Sequence, residues 1–412
     1  GLPHHGHLVA STIKDIVPRY WTMKGRYVMR RFGWDCHGLP IEHEIDKQLG
    51  MSAQDAVAKL GVAGYNDERR SIVQRYVKEW RHTVTRIGRW IDFDDDYKTM
   101  DTWYMESVWW VFKQLWEKGL IYQGVKVVPL STALGTPLSN FEATSNYQDV
   151  QDPAVTVLLK LKDENAHLAI WTTTPWTIPG NRALAVHEDI DYQSLTINKN
   201  DANQKVIIAK DLIENFIQEN EISEHTLNFE IKGKELIGLN CKHPLFDSGY
   251  NFTVPVLHGD FVTTEQGTGI VHICPVHGMD DFLLGKQHNL ELPMTIDEGG
   301  IYYEHIPVFA GKHIFKVDQD VCDEINKCNN LISQGVLIHS YPHSWRSKAP
   351  LVYKNTSQWF ISMEKNELRE KALEAIDQTD FFPKQGQNRL RSMIQDRPDW
   401  CVSRQRVWGV PL

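Results

Sequence analysis

The sequence predicts an α/β protein whose helix-rich parent domain is interrupted by an inserted β-rich domain. Three observations carry this. The 412 residues exceed what one compact core holds, so two or three domains are expected. Residues 1–145 are helical in pattern and crowded with tryptophan, whereas residues 146–338 carry short β-branched runs. From residue 339 to 412 the helical, tryptophan-bearing style returns. An insertion accounts for a composition that changes and then changes back.

The elements follow in chain order. Leu8 to Tyr20 reads as a helix, with Pro18 expected to kink it. Tyr27 to Phe32 reads as a strand. From Asp67 to Ile87 the apolar residues Ile72, Val73, Tyr76, Val77, Trp80, Val84 and Ile87 repeat at helical period. Met105, Val108, Trp109, Phe112, Leu115 and Trp116 repeat the pattern, and Gly119 stands where a left-handed cap belongs. Both helices are expected to pack on a common core. Strands are expected at Val155–Leu161, Leu168–Trp171, Val206–Ala209 and Phe252–Leu257, each bounded by turn formers.

Composition narrows the function. With 42% hydrophobic and 24% charged residues the chain is neither disordered, collagenous nor a coiled coil. No apolar run reaches the roughly 18 residues of a membrane span. A formal charge of −9 does not advertise a nucleic-acid binder, so such a partner would be held by local patches. Six scattered cysteines without a CxxC suggest reduced thiols in a cytosolic setting. The chain starts at Gly1 and stops at Pro411-Leu412, and is expected to be the interior of a longer protein.

No Walker-type or dinucleotide glycine loop occurs. The first residues, Pro3-His4-His5-Gly6-His7-Leu8, instead place imidazoles at a helix N-terminus, where backbone N–H groups and the dipole favour an anion. Gly6 leaves room for a flat base. The bland alternative is a chance histidine cluster. Gly33-Trp34-Asp35-Cys36-His37-Gly38-Leu39-Pro40-Ile41-Glu42 sets Asp35 at the carboxyl end of a strand, where open α/β sheets bind ligands. The same residues suit a turn whose Asp caps the next helix.

In the β-rich zone, Trp171-Thr172-Thr173-Thr174-Pro175-Trp176-Thr177-Ile178-Pro179-Gly180-Asn181 gathers four hydroxyls and a carboxamide beside two prolines. Gly267-Thr268-Gly269-Ile270-Val271-His272 is followed by Pro275, His277 and Asp280-Asp281. Structurally these read as a strand entering a stiff turn, and as a glycine turn, a strand and a capped helix. Chemically they offer groups to hold a ribose and orient a water.

Taken together, HHGH, GWDCHGLPIE, GRWIDFDDDYKTM, ESVWWVFKQL and TPLSNFEATSNYQDVQDP resemble the class I aminoacyl-tRNA synthetases, and within them the isoleucyl family in its eukaryote-like branch. The resemblance covers essentially the whole chain. It implies a Rossmann-type catalytic core interrupted by a β-rich editing domain. Its implied activities are ATP-dependent activation of isoleucine, transfer to tRNA(Ile), and hydrolysis of valyl-tRNA(Ile). ATP with Mg²⁺ would be used; tRNA(Ile) and isoleucine would be partners, with no membrane, and protein partners are left open. By that resemblance His4 and His7 stabilise the α-phosphate, Gly6 underlies the adenosine, and Gly33 and Asp35 bind isoleucine, Asp35 through its ammonium.

One methylene in a pocket discriminates by only about 1–3 kcal/mol, and isoleucine against valine is the standard illustration of that limit. A second, hydrolytic site is therefore implied. In it Asp281 would hold the α-ammonium of misattached valine, Thr172 and Thr173 would act at the ester, and Thr174, Asn181 and His272 would line the site. Valyl-tRNA synthetase is the nearest alternative, disfavoured by His272 and GWDCHGLP; a stand-alone aminoacyl-tRNA deacylase is another. Residues 1–412 alone are expected not to form aminoacyl-adenylate.

Other features are weighed as follows. Asp92, Asp94, Asp95 and Asp96 read as a solvated acidic turn. The family's zinc knuckle near residues 341–347 has Ser344 and Ser347 here, so no metal is expected. Arg404 and Arg406 are equally suited to phosphate contacts and to structural ion pairs.

Overall fold

The computed structural model describes residues 1–51, 53–138, 140–199, 202–345 and 347–412. The chain forms two compact units, one of Gly1–Gln123 with Trp359–Leu412, the other of Gly124–Gln358. The second starts earlier and ends later than the expected 146–338. The added residues include parts of the strands Ile121–Ser131 and Val352–Ile361, within which the chain passes from one unit to the other and back.

In the first unit the helix His5–Met23 continues past Pro18 without ending. The strand expected at Tyr27–Phe32 lies at Arg31–Trp34 and pairs in parallel with Asp92–Lys98. That corrects the acidic turn: the Asp92–Asp96 stretch is strand. Its carboxylates are taken up individually, Asp94 by Arg81, Asp95 by Arg31, and Asp96 by Lys98 and the Trp34 indole. The long helix Ala53–Arg86 breaks at Gly61, whose φ of 71° interrupts the helical path.

The two amphipathic helices do not share one core. Val73 and Val84 pack with Phe32, Trp34, Cys36 and Trp408, while Phe112 and Leu115 lie against Leu120, Ile121 and Ile361. Trp109 and Trp116 of the helix Thr102–Glu117 stay exposed. Gly119 does take the left-handed conformation, φ 69°.

The second unit is built on β-sheets. Six strands are ordered His225–Lys232, Asp191–Lys199, Ala202–Ala209, His167–Thr172, Tyr147–Lys160 and Leu331–Pro342. The last two form a long antiparallel pair from Leu331 opposite Val157 to Pro342 opposite Tyr147. A smaller sheet sets Ala183–Val186 between Thr253–His258 and Val271–Ile273. The core between them is aliphatic, including Val157, Leu168, Leu184, Val256 and Ile325, each fully buried. Such burial supplies about 1.5–3 kcal/mol per large side chain.

Candidate functional site

At the start of the first unit His4 is the N-cap of the first helix. Its Nδ1 accepts from the His7 N–H at 3.4 Å, and the His7 Nδ1 accepts from the His4 N–H at 3.2 Å. The rings stack with centroids 3.6 Å apart. With each Nδ1 accepting, the bonding pattern assigns the proton of the neutral ring to Nε2. Desolvation, then the neighbouring His4 and the chain's amino terminus, pull the His7 pKa down. Two exposed N–H donors at a helix N-terminus fit a phosphate. A Cβ on Gly6 would stand 3.1 Å from the His4 ring, so this glycine makes room for His4 itself.

The GWD block lies alongside through aromatic contacts. The His7 ring meets Trp80 edge-on at 5.0 Å, and Trp80 meets Trp34 at 6.0 Å. Asp35 is exposed, one residue beyond the strand Arg31–Trp34. The next helix, Leu39–Leu49, is capped by Gly38 and not by Asp35, which removes the structural role that was open for that carboxylate. Gly33 has a steric cause: a Cβ there would lie 2.3 Å from the Tyr97 ring. Arg406 is an ion-pair former, joined to buried Glu42 together with Arg69. A wider depression of about 630 Å³ lies elsewhere in this unit, among Thr22, Arg26, Tyr27 and Trp90. None of the predicted residues borders it, and its Arg30 and Arg81 bond Thr22 and Asp94.

In the second unit a cavity of about 180 Å³ is lined by Trp171, Thr172, Thr174, Thr177, Val271, His272, Cys274, His277 and Asp281. The two motifs, a hundred residues apart in sequence, thus converge. Local chemistry explains how. The strand His167–Thr172 ends, the Thr174 N–H folds back onto Thr172 Oγ1 at 3.1 Å, and Pro175 opens the buried 3₁₀ turn Pro175–Gly180. Opposite, Gly267 and Gly269 have φ of 77° and 71°, and a Cβ on Gly269 would stand 2.3 Å from that of Ala209. This tight crossing delivers the strand Val271–Ile273 against Ala183–Val186, His272 facing Leu184.

The hydrogen bonds around His272 have one consistent direction. The Thr177 hydroxyl donates to Thr174 O at 2.8 Å, so His272 Nε2–H, 3.1 Å away, donates to Thr177 Oγ1. Asn181 Nδ2 donates to His272 Nδ1 at 2.6 Å and to Ala183 O at 3.0 Å. Burial presses the His272 pKa down to about 3, so the ring is neutral and both nitrogens are engaged. His277 is held the same way, Nδ1 donating to Tyr353 O at 2.7 Å and Nε2 accepting from Thr295 at 2.6 Å. Its pKa is lowered to about 4 by burial. Neither ring offers a free base.

Asp281 is the one carboxylate on the cavity wall among the described residues. Its Oδ2 accepts from the Cys274 N–H at 2.7 Å. Desolvation outweighs that bond and raises its pKa to about 6. The neighbouring Cys274 thiol is pushed well above its usual range by burial, so it is inert.

The cavity collects Thr172, Thr174, His272 and Asp281 from the predicted set. Thr173 does not border it. Asn181, fully buried, stands behind His272 rather than on the wall: its Nδ2 is spent on the ring and two backbone carbonyls, while its Oδ1 is buried without a partner among the described residues. Sequence reasoning passed over the walls Trp171, Val271 and Cys274, and it gave His277 no role although that residue lies within the same motif. It also missed the clamp on the threonine turn. Asp318 accepts from the Trp176 N–H at 3.2 Å, Tyr302 donates to Trp176 O, and His243 donates to Ile178 O at 3.0 Å. These partners lie 65 to 142 residues away with no local signal.

Among the described residues no group of three or more His, Cys, Asp or Glu side chains is arranged to hold a metal ion. Arg346 of the 341–347 stretch lies outside them. No helix among them is long and apolar enough to cross a membrane.

These features define a class. Residues 1–412 match the family of tRNA synthetases class I (I, L, M and V), and the chain belongs to that family. Over its whole length it is 44% identical to an isoleucine–tRNA ligase of Bdellovibrio bacteriovorus and 42% identical to one of Chlamydia trachomatis, covering 39% and 40% of those proteins. It is 44% identical to the cytoplasmic isoleucine–tRNA ligase of Mus musculus, covering 33% of it. The chain thus spans about two fifths of the length of the curated bacterial relatives it matches. Identity alone does not favour the eukaryote-like branch. The crystal structure of GlLeuRS-CP1 superposes with a TM-score of 0.37 at 17% identity, over 45% of this chain and 99% of that one, a likeness too slight to support an inference.

Proposed function

We propose that the chain is part of an isoleucine–tRNA ligase that also edits its product, and that Gly124–Gln358 is the hydrolytic unit. The observation that carries the reading is the cavity shared by Thr172 and Asp281 in a chain of this family. In the first unit the Nε2–H groups of His4 and His7 would meet the α-phosphate of ATP, with Gly6 beside the adenosine and Asp35 holding the ammonium of isoleucine at the strand end. Mg²⁺ would enter on the triphosphate, since it is commonly bound by substrate phosphates and few protein ligands. The free thiols agree with a reducing, cytoplasmic setting.

In the second unit Asp281 would pair with the α-ammonium of the valyl ester. Trp171 and Val271 would enclose its side chain. The hydroxyls of Thr172 and Thr174 would orient water and the terminal ribose, with Thr173 outside the cavity. Both imidazoles are occupied and neutral, and Asp281 would be spent on the ammonium. Hydrolysis would then rest on an oriented water and polarised hydroxyls instead of a strong side-chain base.

Two assays on the 412-residue chain test this. Hydrolysis of valyl-tRNA(Ile) is expected; isoleucine-dependent exchange of pyrophosphate into ATP is not. A chain that leaves valyl-tRNA(Ile) intact contradicts the editing assignment.

A further inference from the structure

We propose that Gly278 is a positioning residue: its missing side chain is the space in which the Asp281 carboxylate stands. This rests on the reading of Asp281 as the ammonium holder. Gly278 has φ −128° and ψ 145°, extended backbone that any residue adopts, so the chain path does not ask for glycine. Room does. A Cβ at Gly278 would lie 2.6 Å from both Cγ and Oδ1 of Asp281 and 3.0 Å from Oδ2. Those distances are well inside van der Waals contact.

The helix end makes the case stronger. Gly278 is the N-cap of Met279–Gln287, and no side-chain cap bond forms there. Ser, Asp and Asn rank a little above Gly at that position because their side chains can cap, and an acidic third residue ordinarily reaches back to the cap N–H. Asp281 is that third residue, yet its Oδ2 turns away to the Cys274 N–H at 2.7 Å and borders the cavity. Both halves of an ordinary capping arrangement are forgone, and one change of geometry explains both. The carboxylate is aimed at the cavity only while position 278 is empty.

A double-mutant cycle of Gly278→Ala and Asp281→Ala in the 412-residue chain tests this. Gly278→Ala alone is expected to lower valyl-tRNA(Ile) hydrolysis roughly ten- to a hundredfold, through KM, as a displacement of about 1 Å does. The rise of activity with pH, centred near 6 for the native carboxylate, should move down toward an ordinary carboxylate value. Its urea midpoint should fall, and in the Asp281→Ala background the same substitution should leave the midpoint unchanged. Native hydrolysis and pH midpoint in Gly278→Ala would overturn the proposal. So would an equal loss of stability in both backgrounds, which would make the glycine a matter of helix packing. If the native chain fails to hydrolyse valyl-tRNA(Ile), the editing assignment falls, while the unfolding cycle still decides the Gly278–Asp281 contact.

Discussion

His272 Nε2 stands 3.1 Å from Thr177 Oγ1, and because that hydroxyl already donates to Thr174 O, the ring is the donor. The histidine is therefore a fixed wall and not a proton acceptor. Thr177→Val keeps the shape and removes the acceptor, leaving a buried N–H unpaired. Urea unfolding should show a loss of about 1–3 kcal/mol. An unchanged midpoint would mean that this bond is not made.

Asp281→Asn should separate charge from shape. The amide carbonyl still accepts from the Cys274 N–H, but no ammonium is paired, so hydrolysis should fall roughly ten- to hundredfold. Stability should move the other way. A carboxylate raised from 3.8 to about 6 by burial loses its proton first in the unfolded chain. Its destabilising effect grows from pH 3.8 to 6 and is complete above that. At pH 8 the Asn variant should be more stable by about 1–3 kcal/mol; an equal or lower urea midpoint contradicts this. A charge kept where it costs stability is a mark of a working site.

Activity and stability should both respond to acid. Hydrolysis should rise with pH through about 6, as Asp281 ionises. The second unit should meanwhile loosen as pH falls below 6.5. Burial holds His243 and His272 at about 3 and His277 at about 4, so the unfolded chain takes up protons that the folded one refuses. Asp281 and Asp318, both near 6, push in the opposite sense but are outnumbered. Between roughly pH 6 and 4 stability should drop by about 1.4 kcal/mol per pH unit, one net proton. Urea midpoints at pH 7 and pH 5 check the sign.

Asp318 should matter to a reaction it never touches. Asp318→Ala frees the Trp176 N–H and loosens the turn carrying Thr174 and Thr177, so kcat for hydrolysis should fall about tenfold. Asp318→Asn retains an acceptor and should largely restore it. Asp320→Ala, in the same helical turn but half-buried and paired with Lys312, should leave hydrolysis unchanged. Equal loss in all three would reduce the role of Asp318 to helix stability.

What the sequence disclosed follows from the range of the forces involved. That Thr172 and Asp281 border one cavity was expected from the resemblance to the synthetase family, whereas local chemistry alone read their motifs as a strand entering a stiff turn and a capped helix. The placement of Asn181 was not, since whether an amide faces a cavity or a ring is decided by a strand ninety residues on. The Asp92–Asp96 run was misread as a turn because four carboxylates disfavour a strand until Arg31, Arg81, Lys98 and Trp34 meet them. The Gly119 cap needed only its own φ and was read correctly.

The most direct measurement compares two esters on one tRNA. Valyl-tRNA(Ile) and isoleucyl-tRNA(Ile) are each incubated with the 412-residue chain and with Asp281→Ala, and ester loss is followed in time. The account predicts rapid loss of the valyl ester, a spared isoleucyl ester, and no hydrolysis of either by the variant. Equal rates on the two esters, or valyl hydrolysis that survives Asp281→Ala, would contradict it.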